Sequence, residues 1–494
     1  MRYISTRDSA LDFTSAQAIV QGLSRDGGLL LPQELPKLTL EDIQMLSKLP
    51  YAKRAAWVLK LFLADFTLEE LEGYTTLAYR PEKFDHPDVA PVTTLDDKTH
   101  ILELWHGPTC AFKDMALQML PYLLTASLEK TGEQRTVCIL VATSGDTGKA
   151  ALEGFCDVPG TKILVFFPRD GVSDIQKLQM ITQTGENVGV CAVEGNFDDA
   201  QNGVKAIFSD PELREELSRR GYFLSSANSI NWGRVLPQVV YYISAYCDLL
   251  QTGKITLGDK INFCVPTGNF GNILAGWYAW QMGLPVGKMI CASNENNVLT
   301  DFIQTGTYDR NRPFHTTTSP SMDILISSNL ERLLYSLSQS DETVRGYMAA
   351  LSAEGKYTVS QEIRQAVTDS FAAGWCDDRR TGSELADLFS RKGYLMDTHT
   401  AVAWSVLKDY RAETGDETPT VVVSTASPFK FCSSVLEAMG ETQLRSGTAI
   451  IDQLAQTTGI QAPKPLSSLA GKKVRFEACV EKTAMPSVVR ELLR

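Results

Sequence analysis

The sequence has no C-x-x-C pair and no cluster of histidines. Its ten cysteines stand singly, several of them inside apolar runs such as VCILVA and NFCVP, where a free thiol behaves as a small buried hydrophobe. In a chain this long, that usage fits a reducing compartment, and a cytoplasmic location is expected. The five histidines, at 86, 100, 106, 315 and 399, show no metal-ligand spacing, so no metal site is expected. Nor is there a run of about 18 apolar residues that could span a membrane. The opening MRYISTRDSALDF lacks the apolar core of a secretion signal. Positive charge is also in short supply: 47 Lys and Arg stand against 59 Asp and Glu, a formal charge of −12. That excludes the basic face a nucleic-acid partner needs. It also means that any anionic ligand must be held by local donors. No internal repeat or low-complexity linker is visible.

What is present is ordinary globular material, 44% hydrophobic and 21% charged. At 494 residues two or three domains are expected, because single cores rarely grow past about 250 residues. The first 90 or so residues read as helical; TLEDIQMLSKL and AAWVLKLFLADF carry apolar residues near every third or fourth position. From about residue 135 short β-rich runs alternate with helical ones. The runs at 136–142, 161–168, 187–193, 260–266 and 420–425 are continuous and apolar. Buried strands separated by helices imply βαβ units and a parallel sheet with helices on both faces. In such sheets ligands sit beyond the carboxyl ends of the strands, which directs attention to the loops there.

TSGDTG, residues 143–148, follows a strand and opens the helix-like GKAALEGF. Its small residues suit an anion at a helix N-terminus, and equally an ordinary capped βα turn. It is not a Walker A loop, which wants glycine at Thr143 and Ser or Thr at Ala150. PTGNFGN, residues 266–272, repeats the setting. Gly268 and Gly271, with asparagines that tolerate a left-handed backbone, suit a cup of N–H donors for phosphate. SSANSINWGR, residues 225–234, is rich in amides and hydroxyls and ends in Arg234; it suits a carboxylate or phosphate, or a cap for the helix-like run that follows. VVVSTASPFKF ends a buried strand in Ser424 and Thr425. In LWHGPTCAFKDMALQML, Lys113 stands where an apolar helix begins. A lysine amine, two glycine-lined anion sites and hydroxyls at a strand end are the parts pyridoxal phosphate needs.

These segments, in this order and along nearly the whole chain, resemble threonine synthase of the pyridoxal-phosphate fold type II group. The similarity runs through YISTRDSALDFTSAQAIVQGLSRDGGLLLP, ELWHGPTCAFKD, ATSGDTGKAA, SSANSINWGR, VPTGNFGNILAG, SMDILISSNLERLL, DTHTAVAW and VVVSTASPFKF. The resemblance implies two open, mostly parallel α/β domains with a helical N-terminal extension. The extension would cover residues 1–95, the larger cofactor-binding domain 96–130 and 235–494, and the smaller domain 131–234. It implies pyridoxal 5'-phosphate held through a Schiff base to Lys113, its phosphate in Gly268, Asn269, Phe270, Gly271 and Asn272. Thr425 or Ser424 would face the pyridine nitrogen. Thr143, Ser144, Gly145, Asp146 and Thr147 would meet the substrate carboxylate and the cofactor rim, Asp146 touching both. Asn228, Ser229, Asn231 and Arg234 would hold the substrate phosphate.

The implied reaction turns O-phospho-L-homoserine and water into L-threonine and phosphate. Lys113 would remove the α-proton, phosphate would leave the γ-carbon, and water would add at the β-carbon. The implied partner is that small molecule, with no nucleic acid or membrane; monomer and homodimer are both open. Two other readings stand beside it: a lyase or dehydratase on the same cofactor that releases a keto acid, and a non-catalytic binding relative. Four departures fall on the rim: Ser427 for histidine, Phe429 for a small residue, Thr398 for proline and Asn297 for aspartate.

Overall fold

Alternate residues of the strand Thr136–Ala142 point to opposite faces, as the pleat requires. Val137, Ile139 and Val141 enter one buried cluster, and Cys138, Leu140 and Ala142 another. Both faces are therefore covered, which is why the run reads as continuously apolar. The same split occurs at Ile261–Pro266, with Phe263 and Val265 on one side and Cys264 on the other.

The structure, a computed structural model, describes residues 1–169 and 172–493. Its main strands sort into two sheets. The larger runs Phe371–Trp375, Val286–Ser293, Ile261–Pro266, Thr420–Ser424, Thr99–Glu103, all parallel, with Val92–Asp96 antiparallel at the edge. The smaller runs Cys479–Val480, Val188–Val193, Thr161–Pro168, Thr136–Ala142, Tyr222–Ser225, all parallel. This is the mixed α/β architecture expected. Strands at 136–142, 161–168, 187–193, 260–266 and 420–425 fall within a residue of their expected places.

The N-terminal region is helical as expected. Leu40–Leu46 and Leu68–Ala78 start at Thr39 and Thr67, whose hydroxyls accept from Asp42 and Glu70 N–H groups while those acids answer in kind. Leu40–Leu46 and Tyr51–Phe62 pack against the long helix Trp232–Gln251, and Leu68–Ala78 packs against Tyr51–Phe62. Arg54 reaches across to Asp248 at 2.5 Å, and Trp232 Nε1 donates to Tyr3 Oη at 3.1 Å. The extension expected to end at residue 95 stops earlier, since Val92–Asp96 already forms the edge of the larger sheet.

The chain end requires a correction. Residues to 494 were expected in the larger domain. Instead Cys479–Val480 pairs with the smaller sheet. The helix Met485–Leu492 places Met485 and Val489 in one cluster with Cys138, Leu140 and Phe166. The reason is burial: one face of the smaller sheet needs an apolar cover, and this amphipathic helix supplies part of it. Among the described residues no helix is long and apolar enough to cross a membrane.

Candidate active site

After the strand Thr99–Glu103 the chain turns at its carboxyl end and lies antiparallel along residues 425–427. Phe112 N–H donates to the Thr425 carbonyl at 2.8 Å, and Ser427 N–H to the Cys110 carbonyl at 3.0 Å. This pairing carries Lys113, at the start of the helix Lys113–Leu117, into the space between the sheets. Lys113 is 9% exposed. Its Nζ lies 3.3 Å from Ser321 Oγ, 3.6 Å from Asp146 Oδ2 and 4.8 Å from the Phe112 ring centre. Burial pushes the amine down to about 8; Lys430 and Arg234 push the same way, against Asp146.

Asp146 begins the helix Asp146–Phe155 of the smaller sheet and is 3% exposed. Its Oδ1 lies 2.7 Å from Lys430 Nζ and accepts from Gln176 Nε2 at 2.8 Å. Burial alone raises a carboxyl, but the charges of Lys430 and Lys113 and these hydrogen bonds outweigh it, holding Asp146 ionised well below the usual range. Gly145 has φ +136°, and a Cβ there would stand 2.5 Å from the Gln176 side chain, so only glycine fits. Thr143 departs from its expected role. Its buried hydroxyl accepts the N–H groups of Gly145 and Gly148 at 3.0 and 2.9 Å and closes the turn from within. The half-buried hydroxyls of Ser144 and Thr147 have no partner among the described residues.

The second loop is shaped from outside. The Gly268 carbonyl accepts from Ser327 Oγ at 2.8 Å. The Asn269 carbonyl accepts from Asn329 N and Nδ2, each at 3.1 Å. A Cβ on Gly268 would come within 2.5 Å of the Ser321 carbonyl oxygen. The left-handed position falls on neither glycine nor asparagine but on Phe270, φ 63°, which caps the helix Gly271–Met282 with its ring buried against Phe371. Asn272 Oδ1 accepts from the hydroxyls of Tyr241 and Tyr242 at 2.6 and 2.7 Å, while its Nδ2 is buried without a partner among the described residues.

In the third segment Asn231 is a correction. It caps the helix Trp232–Gln251: Oδ1 accepts from Gly233 N–H at 2.8 Å and Nδ2 donates to the Ile19 carbonyl at 3.1 Å. Its side chain is used up in the fold. Arg234, 3% exposed, is different. Its Nη1 donates to the Ala227 carbonyl, its Nε is buried without a partner, and it has no acidic partner among the described residues. Burial pushes the guanidinium down to about 10. Asn228 Oδ1 is likewise buried and unpartnered, and the Ser229 hydroxyl has no partner among the described residues. Ser229 Cβ lies 3.7 Å from where a Gly271 Cβ would stand, so this segment and the glycine loop adjoin.

At the end of Thr420–Ser424, Ser424 Oγ is occupied by Trp105 Nε1 and Thr400 Oγ1, both at 3.1 Å. The Thr425 hydroxyl is 5% exposed as a residue and without a side-chain partner among the described residues. Thr425 is therefore the free one of the two. Behind Lys113, His399 Nε2 accepts from the Ser321 N–H at 3.1 Å, and Nδ1 lies 2.8 Å from Asp397 Oδ2.

Lys430, Ser321, His399 and Asn329 had no assigned role, although each lies in a segment singled out above; Gln176 lies outside those segments. Their signal was position alone; nothing in SPFKF marks its lysine as fully buried. The four departures serve the scaffold. Ser427 caps the turn Pro428–Lys430, Phe429 is core, Thr398 Oγ1 donates to the Thr318 carbonyl at 2.7 Å, and Asn297 Oδ1 accepts from Arg312 at 2.9 Å.

The cleft thus gathers two buried cations, Lys113 and Lys430, around one firmly ionised carboxylate, Asp146, with a third, Arg234, near enough to repel the charge of Lys113. Buried charge without a partner is costly, and the unpartnered atoms of Arg234, Asn228 and Asn272 repeat the demand for a polar ligand. A phosphorylated aldehyde cofactor fits: a buried amine, a loop whose carbonyls are tied back, and a free hydroxyl at a strand end.

Comparison with known proteins adds to this. Residues 95–426 match the family model for pyridoxal-phosphate dependent enzymes. Residues 2–79 match the threonine synthase N terminus and 400–488 the threonine synthase C-terminal model. The chain is 41% identical over 435 residues to human threonine synthase-like 1, covering 86% of this chain but only 58% of that longer protein. It is 39% identical over 439 residues to the threonine synthase of Pseudomonas aeruginosa, covering 89% and 90%. Among solved structures, pyridoxal-phosphate-bound threonine synthase from Brucella melitensis superposes with a TM-score of 0.88 at 38% identity, over the whole of both chains.

Proposed function

Because the chain belongs to the threonine synthase family of pyridoxal-phosphate-dependent enzymes, we propose that it converts O-phospho-L-homoserine and water into L-threonine and phosphate. The observation that carries this reading is the surplus of buried cations in a protein of net charge −12. Such a cleft suits two phosphates and a carboxylate.

The cofactor, when bound, supplies the electron sink for carbanion chemistry at the substrate. The chain supplies the rest. Lys113 would hold the cofactor covalently and would then be placed to move protons; an amine pushed to about 8 is partly neutral near pH 7 and can accept one. The backbone N–H groups of 268–272 would take the cofactor phosphate, and the Thr425 hydroxyl would serve the ring nitrogen. Ser144, Gly145 and Thr147 meet the substrate carboxylate. Arg234, with Asn228 and Ser229, takes the substrate phosphate through charge-assisted hydrogen bonds. The unpaired, mostly buried cysteines suit a reducing compartment, and we place the protein in the cytoplasm, in amino-acid biosynthesis.

The test is product analysis of purified full-length protein with pyridoxal 5'-phosphate and O-phospho-L-homoserine. Threonine and phosphate in equal amounts are expected. A keto acid with phosphate, in place of threonine, overturns the synthase reading and leaves a lyase.

A further inference from the structure

Among the described residues Lys113 has two polar side-chain neighbours, and neither grips it. Ser321 Oγ lies at 3.3 Å and Asp146 Oδ2 at 3.6 Å, beyond the roughly 2.7–2.9 Å of a charge-assisted hydrogen bond. A buried ammonium facing a lone buried carboxylate would close that gap, since their attraction is strong where water is excluded. Asp146 is not alone. Its Oδ1 is taken by Lys430 at 2.7 Å and Gln176 at 2.8 Å.

Lys430 is itself fixed. It is fully buried, its Nζ donates to the Thr109 carbonyl at 2.9 Å, and its own carbonyl lies 3.3 Å from Ser173 Oγ. The turn Pro428–Lys430 that carries it is capped by Ser427. It sits beyond the end of a larger-sheet strand, while Asp146 and Gln176 belong to helices of the smaller sheet. The pair therefore crosses the cleft at the lysine.

We propose that Lys430 is a positioning residue for Lys113: by claiming Asp146 across the cleft, it leaves the Lys113 amine beside a carboxylate that does not hold its proton. This rests on the reading of Lys113 as the cofactor lysine.

The other charged groups around Lys113 agree with this division. Arg234, from the helix Trp232–Gln251, repels a second positive charge. Asp114, next in sequence, spends its carboxylate on Thr109 N–H and Oγ1 at 2.8 and 2.7 Å. Burial keeps the Cys110 thiol neutral. His399 acts on the far side of Ser321, through the backbone N–H. Among the described residues Asp146 is the one carboxylate placed to swing to Lys113, and Lys430 stops it.

The experiment follows covalent uptake of pyridoxal 5'-phosphate by full-length apoprotein across pH, trapped with borohydride and located by mass spectrometry. The step needs the neutral amine: its nitrogen bonds to the aldehyde carbon and the aldehyde oxygen leaves as water. Lys430→Met should move the rate profile up by about one pH unit, roughly a tenfold loss of rate on its acidic limb. Lys430→Arg should restore most of the rate. Lys430→Met with Asp146→Asn should abolish the upward shift, because the carboxylate that captures the amine is gone. Asp146→Asn alone should shift the profile down, and this carries the test if Lys430→Met does not fold. An unmoved profile in folded Lys430→Met, or an upward shift that survives in the double variant, overturns the proposal. If unmodified protein takes up no cofactor at Lys113, or Lys113→Ala labels in the same way, the cofactor-lysine reading falls instead.

Discussion

The loops at 143–148 and 266–272 look alike in the sequence, each a glycine-rich link from a buried strand to a helix, yet they are built in opposite ways. The first is shaped from within: the Thr143 hydroxyl accepts two of the loop's own N–H groups, and Gly145 makes room for Gln176. The second is shaped from outside, where Ser327 and Asn329 take the carbonyls of Gly268 and Asn269. Tying back carbonyls leaves N–H groups to face a ligand, whereas spending N–H groups on an internal hydroxyl does not. The difference fits a division of labour, with the second loop a phosphate cup and the first a frame that offers Ser144, Thr147 and Asp146.

The largest expected effect tests whether phosphates are divided between sites. Arg234→Ala should cost about tenfold to several hundredfold in kcat/KM for O-phospho-L-homoserine, the roughly 1.5–3 kcal/mol of hydrogen bonds to a charged group and more if burial leaves the partner unpaired. Lysine should rescue it partly, lacking the planar fork. The cofactor spectrum should stay intact, because in the proposed reading the 268–272 loop holds that phosphate separately. Equal loss on phosphorylated and unphosphorylated amino acids would make Arg234 structural.

Next is the cup itself. Gly268→Ala forces a Cβ to within 2.5 Å of a backbone oxygen, and Gly271→Val crowds Asn329, whose Nδ2 lies 3.3 Å from the Cβ position. Overpacking of about 1–3 kcal/mol should weaken cofactor affinity roughly ten- to hundredfold, measured by equilibrium titration of the absorbance band. Unchanged affinity in both would move the cofactor phosphate elsewhere.

The smallest effect on the ligand should come from the first loop. Thr143→Val keeps the shape but strands two buried N–H groups, at a cost of about 1–3 kcal/mol in stability, read by thermal denaturation. Cofactor affinity should change less than about threefold, in line with the scatter of indirect effects. A loss as large as that of Gly268→Ala would erase the contrast between the loops.

Much of the site was legible because its residues cluster in short segments after strands. Lys113, the 268–272 loop and Arg234 could be picked out by type and place. Three details could not. Asn231 reads like its neighbour Asn228, and only the helix that starts at Trp232 turns one into a cap. Ser424 and Thr425 are adjacent hydroxyls; the strand's alternation sends one to Trp105 and Thr400 and leaves the other free. The left-handed residue of the cup is Phe270, where backbone chemistry points to glycine or asparagine, because a buried ring against Phe371 holds a conformation that local preference disfavours.

By itself the sequence determined the alternation of strands and helices, the parallel sheets, the capped N-terminal helices and the segments that carry chemistry. These depend on local periodicity and turn residues, which act over a few positions. Tertiary structure decided the rest. It brought Lys430, 317 positions after Lys113 by their numbers, to the same carboxylate, and sent the helix Met485–Leu492 to the smaller sheet. Those outcomes depend on which surfaces must be buried together and which charges then meet without water, and no short stretch of sequence contains both partners.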